Sequence, residues 1–300
     1  MQNTYSNQQT SDIIQFSWRL KKDGFADKTI LNYSKLLGML EKKGAILSNP
    51  ESVKSVIALQ STWSQSTKAI AVATYNKYAL LNHIQWNPPK YVGTSKLPFV
   101  PLESEIDALI AYCGKKTSTI LQLLKETGMR IGEALDLEWI DVNFESRNIL
   151  LNKPEKHSNA RQFKISEKLC SMLLRLKKDN KLVFGSGSKH SVMCNFNHQR
   201  KKAAIALANP RFKQIHFHSL RHWKATTEYH KTKDILHVMR MLGHKSINNT
   251  LIYTHLVDFE QSDDYSSATA KTITEAQKLI ESGFEYVTEI DDVKLFRKRK

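Results

Sequence analysis

Residues 87–101 read NPPKYVGTSKLPFVP, and four prolines and a glycine in one short stretch cannot continue a helix or serve a sheet ladder. A chain of 300 residues broken at this point divides into a short first part and a longer second part. Each must bury its own core, and the length suits about two domains. The break therefore limits the chain to a two-domain architecture joined by a linker.

The first part carries a helical pattern. Residues 1–10 are polar, have no period and read as disordered. Ile13, Phe16, Trp18 and Leu20 mark a first helix, broken around Gly24–Asp27. Ile30, Tyr33, Leu37 and Leu40 recur at spacings near three and four over residues 28–42, and Gly44 closes that helix. Further helices fit 51–60 and 65–84, the latter with Ile70, Tyr75, Tyr78 and Leu81. Residues 11–86 thus form a four-helix domain.

The second part, 102–300, is mixed. Helices fit Glu103–Ala111, a segment ending at Gly128, and Arg130–Leu137. The period then changes. RNILLN (147–152) and RQFKIS (161–166) read as strands around the polar turn KPEKHSNA. Helices return at 167–178, 190–208, 218–230, 234–242, 247–258 and 270–282. FEYVTEI and VKLFRKR, around Asp291–Asp292, suit a final hairpin. The fold class is mainly α with a small β-sheet (α+β). The helix at 270–282 could dock on a neighbouring molecule or pack on its own core; the sequence leaves both open.

Charge narrows the partners. Lys and Arg number 45 against 29 Asp and Glu, a net +16. Residues 1–100 hold 12 basic and 5 acidic side chains, and residues 101–300 hold 33 and 24. Both parts are basic, which a polyanion touching both would explain; nucleic acid is the common case. Lys90 and Lys96 place charge on the linker too. The alternative is a basic protein kept soluble by repulsion. Cys113, Cys170 and Cys194 are odd in number and lack a C-x-x-C pair, so neither a disulfide framework nor a cysteine-rich zinc site is expected. The polar N-terminus has no signal-peptide core, and no apolar run approaches the ~20 residues that span a bilayer. A soluble cytoplasmic protein with no membrane partner is expected.

Three segments carry chemistry. In TGMRIGEALDLEWID (127–141), Arg130 begins a helix whose N–H groups attract anions, and Glu133 at i+3 can hold its guanidinium. An ordinary surface ion pair is the alternative. In HFHSLRHWKATTEY (216–229), His218 and Arg221 share a helix face: Arg can fork onto phosphate oxygens and His can relay a proton. His218 and His222 also have the spacing of a helical zinc pair, but no third ligand is evident. A structural histidine is the other reading. In MLGHKSINNTLIYTH (241–255), His244 follows a helix-ending Gly243, and Tyr253 alone would pass for a packing tyrosine.

Taken in order, Arg130-x-x-Glu133, His218-x-Leu220-Arg221-His222, Leu242-Gly243-His244 and a tyrosine nine residues on resemble the tyrosine recombinase, or phage integrase, family. KHSNAR (156–161) matches that family's K-x-x-x-x-R hairpin, with Lys156 at the catalytic lysine position, although QFKIS replaces its usual V-P-L ending. The first domain is similar to the family's core-binding domain. The resemblance spans about residues 10–258. The hairpin and the GFEYV tail look most like archaeal members.

The resemblance implies a site-specific recombinase or integrase, acting on double-stranded DNA without metal or other cofactor. Tyr253 would attack the scissile phosphate, forming a 3′-phosphotyrosine and freeing a 5′-hydroxyl. Arg130 and Arg221 would bind the non-bridging oxygens, His218 would accept the tyrosine proton, and His244 would donate to a phosphate oxygen. Lys156 would protonate the leaving oxygen, with Glu133 and His222 in support. It further implies a C-shaped clamp on DNA, and a homo-tetramer acting on two duplexes, for a mobile element or chromosome dimers. An inactive DNA-binding relative, a type IB topoisomerase-like enzyme and a metal-dependent nuclease are the rivals.

Overall fold

The computed structural model describes residues 2–93, 96–176, 179–256, 265–290 and 293–299. The chain forms two compact units, Met1–Lys96 and Leu97–Lys300, so the division falls inside the proline-rich stretch.

Unit one contains α1 (Gln2–Lys22), α2 (Asp27–Lys42), α3 (Pro50–Leu59) and α4 (Gln65–Leu81). Helix α1 takes in the stretch expected to be disordered; that stretch has no proline or glycine to stop a helix propagating back from the packed turn. Phe16 and Leu20, at i and i+4, enter the core with Leu37, Leu40, Ile57 and Tyr75. Trp18 lies between them in sequence but on another face, and is 58% exposed. Ile70 on α4 is exposed for the same reason, while Tyr75 and Tyr78 are buried. The Tyr75 hydroxyl satisfies itself on the Leu47 carbonyl at 2.8 Å, so its burial leaves no orphan donor. The caps are local: Asn49 accepts from the backbone at the start of α3, and Ser64 at the start of α4.

Unit two opens with α5 (Glu103–Tyr112) and α6 (Lys115–Thr127). Helix α6 carries Ile120, Leu121, Leu123 and Leu124, all essentially buried, and is the central element of the main core. Truncating one of them to Ala would cost about 2–5 kcal/mol. Gly128 ends α6 with φ +64, where a side chain would be strained. Then come α7 (Ile131–Leu135) and an antiparallel sheet of β1 (Val142–Asn143), β2 (Asn148–Leu151) and β3 (Arg161–Lys164) in that order. Strand β1 is too short to announce itself in sequence. Ile149 pairs Phe163 and Leu151 pairs Arg161, which puts all four on the buried face.

Helices α8 (Glu167–Leu174), α9 (Lys189–Ala206), α10 (Phe217–Thr232), α11 (Ile235–Leu242) and α12 (Asn248–Leu251) follow, the last running into a 3₁₀ turn at Ile252–His255. Helix α10 packs on α6 and α11. The expected helix ends near 178 and 258, and the turn at Asp291–Asp292, lie outside the described residues.

The C-terminal piece holds β4 (Tyr265–Ala270), α13 (Ile273–Glu281), β5 (Glu285–Ile290) and β6 (Val293–Arg299). The sheet order is β4-β6-β5, antiparallel. The expected β5–β6 hairpin is there, but β6 also pairs β4, a strand hidden in sequence by the small residues SSATA. Helix α13 lies along β4 and β5, with Ile273 73% and Ile280 59% exposed. No described helix is long and apolar enough to cross a membrane.

Candidate active site

The site begins at a carboxylate. Glu133, on the first turn of α7, is fully buried. Its oxygens accept from the Arg130 backbone N–H at 2.8 Å, Arg130 Nη1 at 2.9 Å, Arg161 Nη2 at 2.7 Å and the Glu155 N–H at 3.3 Å. Burial works to raise its pKa, but the backbone donor and the two guanidinium groups outweigh it and hold the pKa below normal. A buried charge is tolerated only with this degree of pairing. Arg130 is thus no surface ion pair: its guanidinium is 15% exposed and also donates to Ser158 Oγ at 2.6 Å.

Arg161 is the residue that motif reading undervalued. It was visible as the end of K-x-x-x-x-R and as an inward position of β3, but its partner was not. Besides Glu133 it meets Gly243, where any Cβ would overlap its guanidinium. Gly243 also has φ +69 as it ends α11. Two independent constraints therefore fix glycine immediately before His244.

Arg221, on the first turns of α10, is 2% exposed. Nη1 donates to the Gly128 carbonyl and Nη2 to the Leu242 carbonyl, both at 2.7 Å. The ends of α6 and α11 thereby aim it. Burial, then Arg130, lowers its pKa to about 10, still charged at neutral pH. Nη2 also lies 3.0 Å from His244 Nε2. A guanidinium has only donors, so that nitrogen accepts and His244 Nδ1 donates to Thr250 Oγ1 at 2.9 Å. Burial and the nearby Arg221 push the His244 pKa down to about 4.

Tyr253 sits in the 3₁₀ turn after α12 and packs with Ala225, Val238 and Leu242, 2% exposed. Its hydroxyl lies 3.2 Å from His222 Nδ1. Burial raises the phenol pKa, and Arg221 and Arg130 oppose that. The His218 ring stands edge-on to His222 at 4.7 Å, with an open side to solvent. The crowding walls, then Arg221, Arg130 and Lys156, lower the His218 pKa. Among the described residues no three His, Cys, Asp or Glu side chains gather to hold a metal ion.

Lys156 is exposed at the tip of the β2–β3 hairpin, with φ +58. The other two lysines of the hairpin point elsewhere. Lys153 pairs Glu138 at 3.1 Å, and Lys164 lies on the outer face of β3. The tip is fastened beside Lys156. The Glu155 carboxylate lies against Gly132, where a Cβ would overlap it, and pairs Lys189 at 3.2 Å. Direct contacts thus join Arg130 with Glu133, Arg221 with His244, Tyr253 with His222, and His222 with His218. Charge interactions of Arg130 and Arg221 with His218 and Tyr253, and of Lys156 with His218, bring these groups into one neighbourhood.

A sequence profile of the phage integrase family matches residues 102–260. The chain belongs to the phage integrase family. Tyrosine recombinase XerC of Pediococcus pentosaceus is 28% identical over 226 residues, covering 67% of this chain and 74% of that protein. A tyrosine recombinase of Pseudothermotoga lettingae is 29% identical over 221 residues, covering 70% and 76%. These relatives are bacterial, and lend no support to the archaeal likeness of the hairpin and tail. Two solved structures share the fold. Tn1549 transposon integrase in complex with transposon right-end DNA has TM-score 0.65 and 15% identity, over 90% of this chain and 98% of that one. A lambda integrase tetramer bound to a Holliday junction has TM-score 0.65 and 13% identity, over 84% and 79%.

Proposed function

We propose that this integrase-family protein is a site-specific DNA recombinase that cuts and rejoins duplex DNA through Tyr253. The observation that carries the reading is the convergence of two guanidinium groups, three histidines and a phenol at one place. Arg221 and Arg130 are fixed before any substrate arrives. Such preorganised donors suit the charge that gathers on the non-bridging oxygens of a pentacoordinate phosphorus. Tyr253 attacks phosphorus, its proton passes to the histidines of α10, and a 3′-phosphotyrosine forms. Lys156 protonates the departing 5′-oxygen. The bond energy stays in the adduct, so the freed 5′-hydroxyl can reverse the step with no nucleotide triphosphate.

His244 spends its Nε2 lone pair on Arg221. When a phosphate takes Arg221, that nitrogen is released. The anion then favours a protonated imidazole able to donate to it. The basic charge of both units supports binding mainly through phosphates, with affinity falling steeply in salt. Four copies working on two sites, in the cytoplasm at the nucleoid, complete the reading. The lambda integrase tetramer supports that assembly by likeness of fold.

The test is covalent capture. Wild-type protein is incubated with randomised duplexes, denatured, and the protein-bound DNA sequenced. Tyr253→Phe keeps the ring and should capture nothing. Capture by the phenylalanine variant would assign the nucleophile to another residue.

A further inference from the structure

The histidine that touches the nucleophile is His222, the last residue of the H-x-L-R-H segment. Among the described residues, His222 Nδ1 is the one hydrogen-bond partner of the Tyr253 oxygen, at 3.2 Å. The two rings are 5.8 Å apart and tilted by 51°, so the nitrogen faces the hydroxyl edge rather than the ring face. His218, one turn earlier on α10, holds its ring perpendicular to that of His222, 4.7 Å away. We propose that His222 Nδ1 takes the phenolic proton of Tyr253 as its oxygen attacks the scissile phosphorus. The assignment rests on Tyr253 being the nucleophile.

The step balances. The tyrosine O–H bond breaks and an Nδ1–H bond forms, while the oxygen's electron pair makes the O–P bond. The P–O5′ bond breaks, and the leaving oxygen takes its proton from Lys156. In rejoining, the 5′-hydroxyl gives its proton back to Lys156 as its oxygen bonds phosphorus, the Tyr253 O–P bond breaks, and His222 returns its proton to the departing phenol. One nitrogen thus acts as base in the forward direction and as acid in the reverse.

Two surroundings favour this choice. Tyr253 is 2% exposed, so no base from bulk water reaches its proton where it rests. A buried phenol needs an internal acceptor. His222 must also be neutral to accept. Burial, then His218 and Arg221, push its pKa down to about 4, which leaves the ring neutral at physiological pH. A phosphate bound by Arg221 offsets that cation and makes Nδ1 more basic when the proton is to move. The separation of 3.2 Å is long for such a bond, as is common before substrate tightens a site.

The experiment uses the duplex captured most often by wild type, in single-turnover adduct formation. Asn at position 222 places an amide oxygen near the site of Nδ1: it accepts a hydrogen bond but cannot take a proton. Both His222→Asn and His222→Ala should slow adduct formation about 10²-fold or more at neutral pH, with binding of the same duplex unchanged. Wild-type speed in His222→Asn would show that a hydrogen-bond prop suffices, and would overturn the proposal. So would a large loss in His218→Asn beside a near-normal His222→Asn. A measurement on the wild type guards against misfolded variants. The ¹⁵N shifts of the His222 ring should show Nδ1 bare and Nε2 protonated; a proton on Nδ1 makes it a donor and sinks the idea. Adduct formation by Tyr253→Phe would fail the nucleophile itself, a result distinct from any of these.

Discussion

Arg221 and Lys156 serve one reaction in the proposed function, yet the regions that hold them differ in almost every respect. Arg221 is 2% exposed and tied to two backbone carbonyls. Lys156 is exposed on a hairpin tip, in a left-handed backbone conformation that a lysine rarely adopts. The floor of the site is part of the core, so its geometry is fixed by packing before DNA arrives. The tip is held by a few polar contacts around Glu155 and Ser158. In the proposed reaction the floor stabilises charge, which demands fixed donors, and the tip delivers a proton, which demands reach.

The largest expected effect lies in the floor. Arg221→Ala should lower adduct formation by up to about 10³-fold, because one preorganised donor at developing charge is worth about 10²–10³-fold. Binding to the captured duplex should change little, since this phosphate is one among many contacts. Equal losses in rate and binding would make Arg221 a general phosphate anchor and erase the distinction between floor and tip.

Glu133→Ala comes next. It would leave the guanidinium groups of Arg130 and Arg161 facing each other without the buried carboxylate between them. Breaking a buried pair in this way costs about 3–5 kcal/mol. Chemical denaturation should show that loss even with no DNA present. A change under about 1 kcal/mol would mean solvent already screens the pair, which the full burial of Glu133 argues against.

How much of this was legible in the sequence follows the same division. Arg130, His218, Arg221, His244 and Tyr253 could be named because their motifs, taken in order, resemble those of the phage integrase family; by periodicity alone Tyr253 passes for a packing tyrosine. The partners could not. Tyr253 meets His222 only because α12 and its 3₁₀ turn fold back on α10, a tertiary fact with no period. Arg161 meets Gly243 across a strand and a helix end. Trp18 marks the first helix but not its buried face, because an apolar residue two positions from its neighbours on a helix points away from them. Strand β4 was missed because its small, polar residues lack the alternation that marks a half-buried strand. Lys156 was legible by its distance to Arg161. In the structure Lys153 is engaged with Glu138 and Lys164 faces outward.

The tip is tested by chemistry at the leaving group. Lys156→Ala should slow cleavage of the captured duplex about 10²-fold, the usual worth of a general acid. The same variant should recover on DNA with sulfur at the bridging 5′ position, because a thiolate departs without a proton. Arg221→Ala should gain far less from sulfur, its loss lying at the non-bridging oxygens. Rescue of Lys153→Ala or Lys164→Ala instead would move the general acid and shift the hairpin register.

The smallest effect should come where the two regions join. Ser158 Oγ accepts from Arg130 Nη1 at 2.6 Å and donates to the Glu155 carbonyl at 2.7 Å. One hydroxyl thus links the floor's guanidinium to the residue beside Lys156. Ser158→Ala removes both bonds but strands neither partner: Arg130 keeps Glu133, and the Glu155 carbonyl keeps the Ser158 backbone N–H at 3.2 Å. Stability should therefore fall by about 1 kcal/mol or less. The rate should fall more than the stability, about tenfold, because a looser tip presents Lys156 less often. Sulfur at the 5′ position should restore most of that loss if the tip alone has loosened. If sulfur restores nothing, Ser158 acts by aiming Arg130, and the hydroxyl belongs to the floor.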